Sequence, residues 1–409
     1  MTNLLWPGDP RAGQLLTDDA VWQSMLRVET AWLQALADNA LIPSDASCEL
    51  GLLVDDSDRE AVAVAADDGA NPVIAMVALL RRRAPHPARI WIHRGLTSQD
   101  VVDTALMLTL SDALRQLRSE LTVQVRHLAE LAVTHRRTAM LARTLTQPAI
   151  PLTFGVKVVV WLNGVCDAAN AVTELSTPVQ IGGAAGTLAA PTEMATLVQR
   201  STHAADITLA VVQRTAHILD LDEHLPWHTS RGPITAIGDA LVHCTDAWAR
   251  IAADVVTLNR PEIGEVSEPS NPDRGGSSTM PDKSNPVLSI LLRRAAITAP
   301  PMAAALHTAA AFTNDERADG AWHAEWDTIR ILGRRTLVAA SHASDLLTGL
   351  RVNPDRMATN LAAATVSGEQ NAIATLFDKR PSSTYFGASD NLIDRSLDQA
   401  SQALMALRP

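Results

Sequence analysis

The chain has 409 residues, 47% hydrophobic and 19% charged, with a formal net charge of −11. That composition excludes a disordered chain, and its acidity argues against nucleic acid, which asks for a basic surface. Ala and Leu dominate and Tyr occurs once, which favours helix over sheet, because aromatic and β-branched residues carry most strand signal.

The length exceeds one ordinary core, so two or three domains are expected. Residues 1–95 read as a smaller amino-terminal helical domain, with Trp22, Met25, Val28 and Trp32 on one helix face. Its first ten residues lack the basic region and apolar core of a signal peptide. The run His93-Arg94-Gly95-Leu96-Thr97-Ser98-Gln99-Asp100 reads first as a helix cap, with Thr or Ser before the helix and Asp following. A helix N-terminus is also an anion site, so both readings stand. Residues 96–350 read as a central bundle of long helices. Leu106, Leu110, Leu114, Leu117, Leu121, Val125 and Leu128 recur at spacings of three and four, as do Ile237, Leu241, Cys244, Trp248, Ile251, Val255 and Leu258. Such a narrow apolar face needs neighbours along its whole length, which points to a homo-oligomer.

Between these helices lie Ala142-Arg143-Thr144-Leu145-Thr146-Gln147 and the small-residue run Gln180-Ile181-Gly182-Gly183-Ala184-Ala185-Gly186-Thr187. The second is too irregular for a dinucleotide or phosphate loop, and close packing at a turn explains it as well. A long segment from Pro261 to Lys283 follows; loops of that length in helical domains are functional or disordered. It ends in Gly275-Gly276-Ser277-Ser278-Thr279-Met280-Pro281-Asp282-Lys283-Ser284-Asn285-Pro286, where small residues, two hydroxyls, a cation and a carboxamide precede a proline suited to a first helical turn. The next helix, to about Phe312, contains Pro300-Pro301, where a kink is expected. In Trp322-His323-Ala324-Glu325-Trp326, two tryptophans four apart suggest packing on one face. Arg317, just before them, could pair on the surface with Glu316 or Asp319, a weak interaction. Residues 351–409 form a short tail that loses periodicity near Arg380. No unbroken apolar run of 18 residues occurs, so no membrane span is expected. Cys48, Cys166 and Cys244 fit buried thiols in a reduced cytoplasm, without a disulfide frame or zinc site. No HExxH, CxxC, Walker or GxSxG pattern is present.

The run 275–286 resembles the signature loop of the fumarase/aspartase superfamily, GSSxMPxKxNP, with Ser-Ser, Met-Pro, Lys and Asn-Pro all in register. Residues 93–104 resemble its HxGxTSxDxxDT region, and 180–187 the small-residue turn that borders its active site. Arg317 followed by the WHAEW run, together with Gly8-Asp9-Pro10 and the QPAIP segment, resembles the bacterial 3-carboxy-cis,cis-muconate cycloisomerases. The resemblance covers about residues 1–355; beyond it, roughly forty residues of the usual carboxy-terminal domain seem absent between Ser367 and Tyr385.

The resemblance implies an all-α fold of the fumarase/aspartase type and a homotetramer whose active sites draw on three chains. In it, Ser277 would move the proton alpha to a carboxylate while Lys283 and Asn285 steady the enediolate. Thr97 and Ser98 would hydrogen-bond a substrate carboxylate, with Lys283, Arg317 and Arg143 as the cations that a tricarboxylate needs. Thr144, Gln147, Ser278 and Met280 fall inside the matching motifs and are expected against substrate. His93 and His323 are candidates too, although a single His beside an apolar helix is more often structural. Where superfamily members carry the histidine of GRTHxQ, this chain has Leu145, which transfers no proton. The resemblance implies cyclisation of 3-carboxy-cis,cis-muconate without cofactor or metal, and a reaction that protonates no leaving group is compatible with Leu145. Alternatives are a fumarate-releasing lyase such as adenylosuccinate lyase, another lyase on a small dicarboxylate, or a catalytically silent scaffold.

Overall fold

The computed structural model describes residues 3–199, 202–269, 274–276, 279–280 and 283–408. A short turn of 3-10 helix, Asp9–Ala12, opens the chain, followed by α1 (Asp18–Asp38), whose first turn is capped by Thr17 accepting from the Ala20 N–H at 3.2 Å. Helices α2 (Asp56–Gly69), α3 (Val73–Arg83) and α4 (Ala88–Trp91) lead to α5 (Ser98–Thr134). A hairpin of β1 (Ala139–Thr144) and β2 (Gln147–Thr153) turns the chain into α6 (Phe154–Thr173). Then come α7 (Ala189–Gln199), α8 (Ala204–Leu219) and α9 (Gly232–Leu258). The two-residue β3 (Val266–Ser267), α10 (Val287–Ala311) and α11 (Ala321–Thr348) precede β4 (Arg351–Val352), which pairs antiparallel with β3. The chain finishes with α12 (Pro354–Ala362), α13 (Gly368–Leu376) and α14 (Ser389–Ala406).

The repeating apolar positions do what their spacing requires. All seven residues of the α9 series and all seven of the α5 series are buried, as are Trp22, Met25, Val28 and Trp32 of α1. Each such side chain contributes roughly 1.5–3 kcal/mol relative to exposure. Polar groups within this core are matched: Gln124 of α5 accepts from the Trp248 indole at 2.8 Å and donates to the Ala340 carbonyl at 3.0 Å. One residue thus stitches α5, α9 and α11, as a buried amide must.

Two hydrophobic cores result, and a cut near residue 95 does not separate them. The larger holds the α5–α6–α9–α10–α11 bundle, but also Trp6, Ala12 and Leu16 from the amino terminus and Ile393, Ala400 and Ala403 of α14. The smaller combines α1 and α3 with the first third of α5, with α8, and with Trp322. Helix α14 therefore packs into the bundle, whereas α13 buries no residue. Helix α10 runs unbroken through Pro300-Pro301, and it comes nearer to a membrane span than the sequence suggested, with a window of mean hydropathy 1.2. It packs along α9 and α11, yet only 33% of that window is buried within the chain.

The hairpin was not expected. Pro148 and Pro151 argue against a strand, but a two-stranded ribbon has only edges, where a missing N–H is tolerated. Its two-residue turn places Leu145 at φ +48 and Thr146 at φ +72, conformations that leucine and threonine seldom adopt. Leu145 stands 96% exposed at the tip.

Candidate active site

Three of the segments singled out in the sequence meet at the amino-terminal end of α5. Asp100 reaches back to the Thr97 N–H at 3.0 Å, as a residue in the first turn of a capped helix does. The same buried carboxylate accepts from the Gly182 and Gly183 N–H groups at 2.9 and 3.0 Å and from the Gln180 amide at 3.2 Å. Burial pushes it up to about 6, against the pull of those donors. The Gly-rich run is thus a cradle for Asp100, which fixes it against α5. Thr104 repeats the tie one turn on, donating to the Gln180 carbonyl at 2.9 Å.

Thr97 caps in return, its side chain facing the Asp100 N–H in a capping box, and the same hydroxyl accepts from Arg317 at 2.7 Å. The other end of that guanidinium donates to the Ala184 carbonyl at 3.0 Å. Both partners are neutral, and among the described residues Arg317 has no acidic partner. A cation without a counter-ion beside a helix N-terminus is a receptor for an anion. Ser98 lies half-buried next to Thr97. The His93 Nδ1 lies 2.5 Å from the Glu29 carboxylate, itself fully buried. The backbone of His93 is left-handed, at φ +61. His323 leans on Trp326, ring centroids 4.7 Å apart, with its Nδ1 buried and unpartnered among the described residues.

Beneath this surface lies a charge cluster that the sequence reading missed. Arg231, 1% exposed, donates to Asp103 at 2.7 and 3.1 Å and to Glu325 at 2.6 Å. The Trp322 indole also donates to Asp103, at 2.9 Å. Burial opposes the charge of Arg231, but Asp103 and Glu325 outweigh it and hold the guanidinium above its ordinary range. Burial also raises Glu325, partly offset by Arg231. Beside it His228 packs on Gly186, whose left-handed φ of +76 leaves the room: a Cβ there would lie 2.1 Å from His228 Cε1.

The remaining candidates sit elsewhere. Arg143 is engaged by Glu265 at 2.8 and 3.0 Å, and the carboxylate is fully buried. That pair anchors the hairpin to the residue before β3. Thr144 and Gln147 face solvent beside Leu145. Ser277 and Ser278 lie outside the described residues. Around them, the neck of the signature loop is closed by Asn285, whose backbone N–H and side-chain amide donate to the Gly275 carbonyl at 2.8 and 3.0 Å. Gly275 sits at φ +83, where a Cβ would come 2.6 Å from the Asn285 carbonyl. Asn285 is accordingly a latch in this structure. Lys283 is exposed and, among the described residues, has no acidic partner; Met280 is half-exposed. The α10 N-terminus behind the loop is capped by Glu268, which accepts from the Leu288 and Ser289 N–H groups at 3.0 and 2.7 Å.

Position along the helices separates the two groups. Arg274, at the loop neck, pairs with Asp345 near the carboxy-terminal end of α11, whereas Arg317 and His323 lie at its start. The 22 residues from His323 to Asp345 span about 33 Å at helical rise. Helix α5, 37 residues long, likewise holds Thr97 and the hairpin about 54 Å apart. The two groups of candidate residues therefore lie toward opposite ends of the bundle.

A family model described as lyase matches residues 49–300. Over 364 residues the chain is 41% identical to the nitrosuccinate lyase of Streptomyces davaonensis, covering 86% of this chain and 75% of that protein. It is 37% identical to the 3-carboxy-cis,cis-muconate cycloisomerase of Bradyrhizobium diazoefficiens, covering 85% and 76%. The crystal structure of the 3-carboxy-cis,cis-muconate lactonizing enzyme from Pseudomonas putida superposes with a TM-score of 0.82 at 26% identity, over 96% of this chain and 97% of that one.

Proposed function

Because this chain belongs to the lyase family of the fumarase/aspartase superfamily, we propose that it eliminates or adds a group beta to a carboxylate in a small polycarboxylic acid, with no proton delivered to that group. The observation that carries this is Leu145, a side chain without a titratable proton at the tip of the hairpin where superfamily members carry histidine. Ser277 moves the alpha proton, and Lys283 stabilises the enediolate. Arg317 and Thr97 hold a carboxylate. Asn285 acts by latching the loop.

The first substrate is 3-carboxy-cis,cis-muconate. One of its carboxylates, already ionised at neutral pH, adds to a carbon–carbon double bond; electron density moves onto another carboxylate, and the alpha carbon then takes a proton. The name shared by several relatives and by the superposed Pseudomonas putida enzyme supports this choice. A second reading is favoured by the 41% identity to a nitrosuccinate lyase. Loss of an alpha proton and of nitrite would leave a butenedioate, and nitrite departs as a stable anion without an acid. An amine leaving group, which benefits from a positioned acid, fits Leu145 poorly.

The half-sites require more than one chain, and a homotetramer supplies them. The largely uncovered apolar side of α10, with Ile290 50% and Ile297 73% exposed, suits burial against other copies. The test is purified protein offered both substrates, following loss of the conjugated diene in one and release of nitrite in the other. Turnover of either one assigns the substrate. Turnover of neither, by a protein shown to be tetrameric, sinks the proposal.

A further inference from the structure

His228 is held in a manner that structural packing alone does not require. Its carbonyl accepts from the Gln99 amide at 2.7 Å, and the preceding Trp227 N–H donates to Gln180 at 2.6 Å. Three residues on, Arg231 is locked in the buried cluster with Asp103 and Glu325. The backbone is thus clamped on both sides. Yet the imidazole itself is half-buried, and its Nδ1 is buried with no hydrogen-bond partner among the described residues. An orphaned buried nitrogen loses a hydrogen bond that water would have given it.

The surroundings show what could meet it. The turn 183–186 holds Arg317 through the Ala184 carbonyl and makes room for the His228 ring at Gly186. Arg317, without an acidic partner among the described residues, and His228 therefore share one wall. The charges that face the ring are Arg317 from the loop before α11, Arg231 at the start of α9, and, with opposite sign, Asp103 of α5 and Glu316. Burial and the two guanidiniums hold the imidazole below its ordinary range, so at neutral pH it is uncharged and keeps one N–H to offer.

We propose that His228 is a substrate ligand, completing with Arg317 and Thr97 a subsite for one carboxylate of a polycarboxylic acid. This deepens the function proposed above and rests on it for the class of ligand. The consequence is a proton linkage. A bound carboxylate offsets the two guanidiniums, so the imidazole is drawn back towards its charged form and the protein takes up a proton as the ligand binds. By reciprocity, affinity rises as pH falls towards the range in which His228 titrates.

Titration calorimetry of the intact protein with tricarballylate, repeated in buffers of different ionisation enthalpy near pH 6.5, tests this without turnover. The wild type should take up part of a proton. His228→Ala should bind about ten- to hundred-fold more weakly, the loss expected for a charge-assisted hydrogen bond. His228→Gln, which keeps a donor, should recover part of the affinity with no proton uptake. Unchanged uptake in His228→Gln overturns the inference, and so does absence of tricarballylate binding by the wild type. An enzyme that turns over either substrate without His228-linked uptake refutes this inference alone. Linked uptake without turnover refutes only the assigned reaction.

Discussion

Mixing two inactive variants, Ser277→Ala and Arg317→Ala, should restore turnover that neither shows by itself. Each substitution removes one half-site. Alone, each should lower turnover by at least about a thousand-fold, as loss of a group that stabilises charge or moves the proton does. The two half-sites lie at opposite ends of α11, with Arg317 before its first turn and the loop neck pinned by Arg274 to Asp345. In the proposed assembly a catalytic centre takes them from different chains. In hybrids formed by refolding equal amounts together, about one centre in four receives an intact Ser277 from one chain and an intact Arg317 from another, if the closed assembly draws its chains at random. Steady-state rates of the hybrid, compared with each parent at the same concentration, read this directly. If the mixture stays as inactive as its parents while forming tetramers, the two half-sites do not serve a common centre.

A second large effect falls on stability. Arg231→Leu should destabilise the protein by about 3–5 kcal/mol, because it leaves two carboxylates buried without their cation. Asp103 and Glu325 are each no more than 1% exposed, so water cannot take over the role of the guanidinium. A comparison on the same molecule decides which feature matters. Arg214 and Asp38 also pair, at 2.7 Å, but their side chains are 39% and 38% exposed, and Arg214→Leu should change stability by less than about 1 kcal/mol. Denaturant midpoints of both variants, at one protein concentration because assembly contributes to stability, provide the check. Equal shifts in the two would refute the assignment of Arg231 as the pin of this region.

Much of the molecule is legible from the chain alone, and the exceptions have physical reasons. The bundle helices announce themselves because one face of each is buried along its length, which imposes an unbroken apolar period. The segments around Thr97, Gly275 and Arg317 announce themselves through motif resemblance. The Arg231 cluster does not: its members are separated by up to 222 positions, from Asp103 to Glu325, and although Asp103 and Glu325 fall in recognised motifs, nothing in the chain pairs them with Arg231. His228 escaped notice for a related reason, since a Trp-His pair ahead of a Gly-Pro helix start reads as a turn. The hairpin was hidden by its two prolines, which are forbidden only where a strand has neighbours on both sides. The partner of Arg143 was hidden because sequence gives a charge but not what meets it, and Glu265 lies 122 residues away.

The length of α11 fixes one more property. A chain that lends its start to one catalytic centre and its end to another holds those centres about 33 Å apart. The Debye length at physiological ionic strength is about 8 Å, so roughly four screening lengths intervene. The charges of a polyanion captured in one centre are then scarcely felt in the next. Occupancy of neighbouring centres should be electrostatically independent, and saturation by substrate should follow a simple hyperbola, unless the rigid helix itself shifts on binding.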